Sequence, residues 1–347
     1  MTERTGNVAK LSATSDQDVA AIDELRAIYQ KIRTEVARTI IGQDEVIEQL
    51  LICIFSRGHA LLMGVPGLAK TLMVQSLASV MSLQFSRIQF TPDLMPSDIT
   101  GTDILQETDT PGRRAFEFVK GAVFANIVLA DEINRTPPKT QSALLEAMQE
   151  HRVTAAGKVF PLPEPFFVLA TQNPIEQEGT YSLPEAQLDR FMFFIHVHYP
   201  SLDEERRIAR ETTGAAAATL AKLISGEQVI AYQDLVKRVP VPDHIYDAAV
   251  DLVRLSRPTA ENAPDWIKRW VTWGAGPRAV QYLIRGAKAR AVLQGSYLVR
   301  MDDIEAVAQA VLRHRILTNF QAQSEGIGSA EVITRLLDTI RGETRHG

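Results

Sequence analysis

A lysine and a threonine, Lys70 and Thr71, stand between a glycine-containing loop and the apolar stretch that follows it. The preceding run, residues 58–63, is also largely apolar, so the pattern predicts a strand, a loop and a helix. In such an arrangement the loop's N–H groups and the first helical turn point into one concavity that favours an anion. Lys70 could then reach the outer phosphates of a nucleotide, and the Thr71 hydroxyl could ligate Mg²⁺.

One position departs from the usual phosphate-loop pattern, G-x-x-x-x-G-K-[ST], because Ala69 replaces the last glycine. We expect helical φ and ψ at Ala69, which alanine tolerates, and Gly67 still permits close approach of a phosphate to the backbone. A strand–turn–helix with an incidental Lys-Thr pair is the alternative. The residues predicted to bind the nucleotide here are Gly64, Val65, Pro66, Gly67, Leu68, Ala69, Lys70, Thr71 and Leu72.

Polar side chains end two further apolar runs. Asp131 and Glu132 follow residues 125–130, and Asn173 follows the run that begins at Pro165. Buried parallel strands have this pattern, and ligands bind beyond their carboxyl ends. Asp131 could hold the Mg²⁺ shell, Glu132 could polarise an attacking water, and Asn173 could hydrogen-bond the γ-phosphate or that water. A solvated strand end and a turn-forming Asn-Pro are the alternatives, but the phosphate loop upstream favours the catalytic interpretation.

Two arginines and a glycine add to this set of candidates. Arg190 ends a short helix just before the strand 192–197, where it either pairs with an acid or lies at an exposed edge. Arg278 projects from a helix start opened by Pro277, where a cation is disfavoured unless an anion is near. Gly42, next to Gln43, separates two helices and could form an elbow against a nucleotide base, although the spacing alone favours a plain helix–helix turn.

The chain divides by composition into a mobile tail, an α/β part, a hinge and a helical part. Strand signals nearly vanish after Tyr232, and an alanine run occupies 215–218. Two stretches, 98–118 and 151–162, are predicted to be a strand–turn–strand insertion and a hairpin. The predicted boundaries are 1–18 for the tail, 19–213 for the nucleotide-binding core, 214–239 for the hinge and 240–347 for the helical domain.

Composition limits the classes of partner. The chain has 347 residues, of which 45% are hydrophobic and 23% charged, as in globular proteins with a sizeable core. The net charge of −5 gives no global reason for binding nucleic acid or an anionic membrane. The single cysteine, Cys53, excludes an internal disulfide. We expect a cytoplasmic protein, because the polar N-terminus is not a signal peptide and no apolar run could span a bilayer.

Taken together, these blocks resemble the MoxR family of AAA+ ATPases over nearly the whole length, residues 41–315. The resemblance is specific because the blocks are long and in order, and alanine before the lysine is usual in the family. One departure is Gly276, where serine is more common before Pro277 and Arg278. The matching blocks are 64–71, 121–135, 141–150, 170–174 and 183–191.

The resemblance implies a fold, a chemistry and an assembly. The fold would be an α/β AAA+ P-loop ATPase core, a parallel sheet flanked by helices with inserted hairpins, followed by a small α-helical lid domain. ATP and Mg²⁺ would be the cofactors. The implied roles are phosphate and metal binding for Lys70 and Thr71, the metal shell for Asp131, water activation for Glu132, first sensor for Asn173, finger on a neighbour's ATP for Arg190, second sensor for Arg278, and adenine contact for Gly42 and Gln43.

Members of the family look like hexameric, chaperone-like machines, and many act with a von Willebrand factor A domain protein to mature client proteins or insert their cofactors. Two other classes stay open. A nucleic-acid motor is disfavoured, because the hairpin offers only Arg152 and Lys158 as cations. A nucleotide-gated scaffold with little turnover is disfavoured because Glu132, Asn173 and Arg190 are all present.

Overall fold

A computed structural model describes residues 16–107, 114–155, 157–175, 179–212 and 219–344. The strands are β1 Ala60–Met63, β2 Phe85–Gln89, β3 Gly101–Glu107, β4 Arg114–Lys120, β5 Ile127–Asp131, β6 Arg152–Ala155, β7 Lys158–Pro161, β8 Phe167–Gln172, β9 Phe193–His196, β10 Val271–Trp273 and β11 Leu317–Thr318.

The helices are α1 Asp16–Val36, α2 Asp44–Phe55, α3 Lys70–Val80, α4 Pro96–Thr100, α5 Pro138–Glu150, α6 Glu185–Leu188, α7 Leu202–Thr212, α8 Gly226–Arg238, α9 Asp243–Leu255, α10 Asp265–Trp270, α11 Pro277–Leu293, α12 Met301–Leu312, α13 Phe320–Ser324 and α14 Ser329–Thr344, with a 3₁₀ turn at Ile133–Arg135. Across the described ranges, no helix is both long and apolar enough to cross a bilayer.

The central sheet has five parallel strands in the order β2-β5-β8-β1-β9. Successive strand residues point to opposite faces, so both faces of an apolar strand can be buried. Leu129 of β5 packs into one core with helices α1 to α3, while Val128 packs into a second core with α5. The α/β core predicted from the sequence, a parallel sheet flanked by helices, is therefore confirmed.

Two antiparallel hairpins leave this sheet, at the positions predicted for the insertions. The first is β3–β4, and the second is β6–β7. Their aromatic side chains meet, because the rings of Phe118 and Phe160 stack with centroids 4.1 Å apart. The two hairpins are therefore in direct contact with each other.

The C-terminal part is helical except for one feature that the sequence did not indicate. Strands β10 and β11 form a two-stranded antiparallel sheet, with Val271 opposite Thr318. These strands are too short to show a period-2 pattern, which explains why the strand signal was missed. Helix α11 packs against α1, α2 and α8, so an apolar core continues from the nucleotide-binding part into the lid.

The predicted domain boundaries stay predictions, although several lie beside observed elements. Helix α1 already begins at Asp16, inside the predicted tail, and residues 1–15 lie outside the described part. Within the predicted hinge, residues 214–218 are also outside it. The rest of that segment includes α8, a regular helix capped by Ser225, whose hydroxyl accepts from the Gln228 amide. Its buried Val229 and Leu235 join the main core.

The base of the β3–β4 hairpin gives a prediction for stability. A Cβ on Gly121 would lie 2.3 Å from the Ile99 carbonyl oxygen and 2.4 Å from the Gly101 nitrogen, both backbone atoms. We expect Gly121→Ala to lower the free energy of unfolding by about 2 kcal/mol or more, measured by urea denaturation. The control is Gly342→Ala in α14, where a Cβ meets nothing within 4 Å and the change should stabilise by up to about 1 kcal/mol. Equal effects of the two changes would contradict the close approach.

Candidate nucleotide site

The phosphate loop joins β1 to α3 at the carboxyl edge of the sheet. Lys70 is the first residue of α3, and its ammonium group donates to the Gly64 carbonyl oxygen within the same loop. Burial lowers the pKa of the Lys70 ammonium, while the nearby carboxylates of Asp131 and Glu132 oppose that shift. Thr71 follows at the start of the helix. The loop therefore brings a half-buried cation and a hydroxyl to the end of β1, as predicted.

The backbone of Ala69 differs from the expectation. Ala69 precedes α3 in the left-handed region, with φ 53° and ψ 22°, instead of the helical conformation that we expected. A residue with a Cβ pays roughly 1–2 kcal/mol in this region, whereas glycine does not. Ala69 is therefore strained in this conformation. The same left-handed backbone explains why glycine is the usual residue at this position of a phosphate loop.

Asp131 ends β5 and is held from both neighbouring strands. Its Oδ1 accepts from the Thr171 hydroxyl of β8 at 2.6 Å, and its Oδ2 accepts from the Arg87 guanidinium of β2 at 2.7 Å. A carboxylate offers about four acceptor positions, so these two contacts leave capacity for a metal-bound water. The ion pair with Arg87 also balances charge at this edge.

Glu132 turns away from the strand direction. It lies in the left-handed region, with φ 57° and ψ 49°, and its amide donates to the Thr171 hydroxyl at 2.8 Å. Its carboxylate accepts from Gln89 and from Arg135, each at 3.1 Å. Thr171 thus links Asp131 and Glu132, and the turn brings both carboxylates to the same edge.

Asn173 is the polar group that follows β8. It is buried, and its side-chain oxygen accepts from the Ile175 amide at 3.1 Å. It lines a cleft beside Met63, the residue just before the phosphate loop, and Asn134. The carbonyl of Asn134 also accepts from the Tyr181 amide at 2.7 Å. The predicted sensor therefore lies beside the end of β1, at the same edge as Asp131.

An apolar cavity opens next to the loop, at the elbow between α1 and α2. Gly42 and Gln43 are both left-handed, with φ 71° and 62°, and the Gln43 side-chain amide donates to the His198 carbonyl at 2.9 Å. A Cβ on Gly42 would meet only the flexible carboxylate end of Glu204, at 2.7 Å, so the left-handed backbone is the reason why this position favours glycine. The cavity is lined by Thr39, Ile40, Ile41, Gln43, Gly67, Leu68, Ala69, Leu72, Pro200, Ile208 and Thr212.

Arg190 and Arg278 lie at the other edge of the sheet. Arg190 precedes β9, which runs parallel to β1, so it belongs to the amino edge, whereas the phosphate loop follows the carboxyl end of β1. Arg278 donates to Asp189 at 2.8 Å. Both arginines line one cavity of about 440 Å³, together with Arg57, Lys237 and Arg285. The structure thus groups the two arginines but does not bring them to their own chain's phosphate loop.

Comparisons with known proteins agree with this geometry. Residues 59–193 match the ATPase family associated with various cellular activities (AAA), and residues 266–336 match the AAA lid domain. The chain is 45% identical to the chaperone MoxR1 of Mycobacterium tuberculosis over 316 residues, covering 91% of this chain and 81% of that protein. The chain belongs to the MoxR family of AAA+ ATPases.

Two further proteins extend the comparison. The chain is 39% identical to the uncharacterised protein YeaC of Bacillus subtilis, covering 92% of this chain and 96% of that one. A crystal structure of a provisionally named ATPase from Cytophaga hutchinsonii is 42% identical, with a TM-score of 0.85, over 92% of this chain and 96% of that chain. Sequence and fold therefore agree across both the core and the lid.

The residues at the carboxyl edge of this MoxR-type chain fit a magnesium nucleotide. Lys70 has only a neutral acceptor in its own loop, which a phosphate could replace with a charged one. Thr71 and Asp131 offer the hard oxygen ligands that Mg²⁺ prefers, and Mg²⁺ commonly takes few protein ligands besides phosphates and water.

Sequence reasoning missed the groups that surround the two carboxylates. Arg87 and Gln89 stand two apart on β2 and therefore on one face, next to β5. Thr171 lies in β8, on the opposite side of β5. Alternation could have flagged Arg87 and Gln89 as a polar pair. Their contacts with Asp131 and Glu132 could not be predicted, because the spacing of residues in the sequence does not indicate that β2 lies beside β5.

The strain at Ala69 leads to a prediction. We expect Ala69→Gly to change the free energy of unfolding by less than about 1 kcal/mol, since relief of strain offsets the added freedom of the unfolded chain. Ala69→Val should lower it by about 2 kcal/mol or more, because a β-branched residue fits the left-handed region poorly. Denaturant titration measures both. Ala78→Gly, at a buried position in the last turn of α3, is the control and should cost about 1 kcal/mol. Equal losses for both glycine variants would contradict a left-handed Ala69.

Proposed function

We propose that this chain hydrolyses ATP with Mg²⁺ in sites shared between neighbouring subunits of a ring, and that the energy remodels other proteins. The observation that carries the proposal is the opposite placement of the two half-sites. Lys70, Asp131 and Glu132 lie at the carboxyl edge, while Arg190 and Arg278 share a cavity at the amino edge.

The nucleotide would be bound by one subunit. Its base fits the apolar cavity beside Gly42 and Gln43, and its phosphates extend into the loop, where Lys70 and the start of α3 neutralise charge. Mg²⁺, held near Thr71 and Asp131, would supply electrostatic stabilisation of the phosphates. The left-handed elbow at Gly42 keeps the backbone close to the cavity, since no side chain projects there.

Glu132 is the group best placed to orient and polarise the attacking water. A base must accept a proton or hydrogen bond from that water, and the Glu132 carboxylate lies at the site edge with two partners, Gln89 and Arg135. Both partners donate hydrogen bonds to the Glu132 carboxylate and so orient it. Asn173, at the end of the next strand, can hydrogen-bond the γ-phosphate without adding charge.

The arginines would act on the next subunit's ATP. Strand β1 alone spans about 13 Å, farther than one arginine side chain reaches from the amino edge. Arg190 has no ion-pair partner in the part of the chain that the structure describes, so its charge is available to a phosphate. Arg278 keeps one bond to Asp189. A head-to-tail contact repeated around a ring pairs every carboxyl edge with an amino edge. We propose that this ring is the homo-hexamer that the family resemblance implies.

The biological role that we propose is protein remodelling in the cytoplasm. The relative MoxR1 is named a chaperone. Exposed apolar side chains on the β3–β4 hairpin, Leu105 and Phe116, suit a protein client better than a polyanion. On the other hairpin Arg152 is paired with Glu150, which disfavours nucleic acid. Maturation of clients or insertion of their cofactors, with a von Willebrand factor A domain protein, is the proposed task.

Glu132→Gln tests the chemistry. We expect ATP binding to persist and hydrolysis to fall by about 10³-fold or more, because glutamine retains the shape but cannot polarise water. Equilibrium binding of a fluorescent ATP analogue and phosphate release measure the two quantities. Unchanged phosphate release would remove Glu132 from the mechanism.

Arg190→Ala tests the shared site. Alone it should lose about 10³-fold or more in phosphate release. When the Arg190→Ala and Glu132→Gln chains are co-expressed, hydrolysis should return. Some sites of the mixed ring then combine Glu132 of one chain with Arg190 of the other. Each variant expressed alone is the control. A mixture as inactive as its parts would contradict action in trans.

A further inference from the structure

The segment that carries Arg190 is held by the lid through its backbone. The carbonyl oxygen of every residue from Asp189 to Met192 accepts a hydrogen bond from the lid. The Arg315 guanidinium donates to the carbonyls of Asp189 and Phe191, each at 2.8 Å, and to that of Met192 at 3.4 Å. The Tyr282 hydroxyl donates to the Arg190 carbonyl at 3.2 Å, and the His314 ring donates to the Phe191 carbonyl at 3.1 Å.

Arg315 is the centre of this contact. Its side chain is only 2% exposed, and its Nε donates to the Asp189 carboxylate at 2.7 Å. Another N–H donates to the Val311 carbonyl. A guanidinium has five N–H donors in a fixed planar fork, and acceptors surround all of them here. Lysine, with three donors on one nitrogen, could not reproduce this geometry.

Two further contacts join the same segment to the start of α11. The Asp189 carboxylate is shared, since its second oxygen accepts from Arg278 at 2.8 Å. The Arg315 guanidinium also lies over the Tyr282 ring, 5.1 Å from its centroid. Helix α11 and the turn after α12 therefore grip one short stretch of chain between α6 and β9.

The Arg190 side chain contributes little to its own placement. No carboxylate pairs with it among the described residues. Its backbone makes the hydrogen bonds here, since the Arg190 carbonyl accepts from Tyr282 and its amide donates to the Gln187 carbonyl at 3.2 Å. Its guanidinium can therefore be aimed only by the backbone that carries it. Misplacing a catalytic group by about 1 Å can cost on the order of 100-fold in rate.

We propose that Arg315, Tyr282 and Asp189 form a lid clamp, a set of positioning residues that aims Arg190 at the neighbouring subunit's nucleotide. The inference rests on the proposed trans action of Arg190 and extends it. The lid of one subunit then controls hydrolysis in the next, although the clamp touches neither ATP nor water. Loosening the clamp lowers turnover in the neighbour and leaves the binding of ATP to the same chain intact.

Two variants loosen the clamp without removing a whole side chain. Arg315→Lys keeps the charge but loses the fork, and we expect kcat for ATP hydrolysis to fall about 10- to 100-fold, with little change in ATP affinity. Tyr282→Phe removes only the hydroxyl that donates to Arg190, and we expect kcat to fall about three- to tenfold. Thermal unfolding of each variant checks that the lid remains folded.

The matched control is Arg290→Lys. Arg290 is also a lid arginine paired with an acid, Asp303, at 2.7 Å, but it contacts no residue between Asp189 and Met192. This variant exchanges a lid arginine for lysine outside the clamp and should keep its kcat. Equal losses of kcat for both arginine variants would show that any loosening of the lid lowers kcat. The contacts with residues 189–192 would then have no special role, which would overturn the proposal.

Mixed rings distinguish the clamp from the proposed function. Arg315→Lys co-expressed with Glu132→Gln should recover hydrolysis well above the sum of the separate chains, because the Glu132→Gln subunit supplies a correctly aimed Arg190. If Arg190→Ala complements Glu132→Gln but Arg315→Lys does not, Arg315 acts within its own subunit and the clamp is wrong. If Arg190→Ala itself fails to complement, the trans site fails, and the clamp fails with it.

Discussion

All five strands of the central sheet run in the same direction, and this constraint divides the polar groups of the chain between two edges. A group that follows β1, β5 or β8 lies at the carboxyl edge, and a group that precedes β9 lies at the amino edge. The intervening strand, about 13 Å long in β1, is too long for one side chain to cross. The proposed site shared between subunits follows from this separation, because a head-to-tail contact between copies would bring the two groups together.

At the carboxyl edge a threonine resolves a difficulty inherent in adjacent carboxylates. Neighbouring residues of a regular strand point to opposite faces, so Asp131 and Glu132 would be separated if β5 continued. The Thr171 hydroxyl donates to Asp131 and accepts from the Glu132 amide, and Glu132 adopts a left-handed conformation. One hydroxyl on the neighbouring strand thus fixes the turn that keeps both carboxylates at the site. The backbone strain at Glu132 is balanced by these bonds.

Much of the carboxyl edge could be predicted because it depends on local pattern. Apolar runs that end in Asp131 or Asn173 indicate buried parallel strands whatever their order, and the loop before Lys70 identifies the first strand. What depends on tertiary packing could not be predicted. The left-handed φ of Ala69 and the contact of Arg87 with Asp131 have no local signature. The position of Arg278 could not be predicted either. A cation at a helix start predicts a nearby anion, but it does not indicate at which edge of the sheet that helix begins.

Helix α11 explains how the edges can influence each other despite their separation. Its first turn carries Arg278, while its length packs on α1 and α2, the helices on either side of the elbow at Gly42. The apolar cavity proposed for the base lies at that elbow, and one apolar core includes residues of both α1 and α11. Close-packed cores transmit displacement because they compress little. A change at the base cavity would therefore move the helix that holds Asp189, and with it the arginines proposed to serve the next subunit.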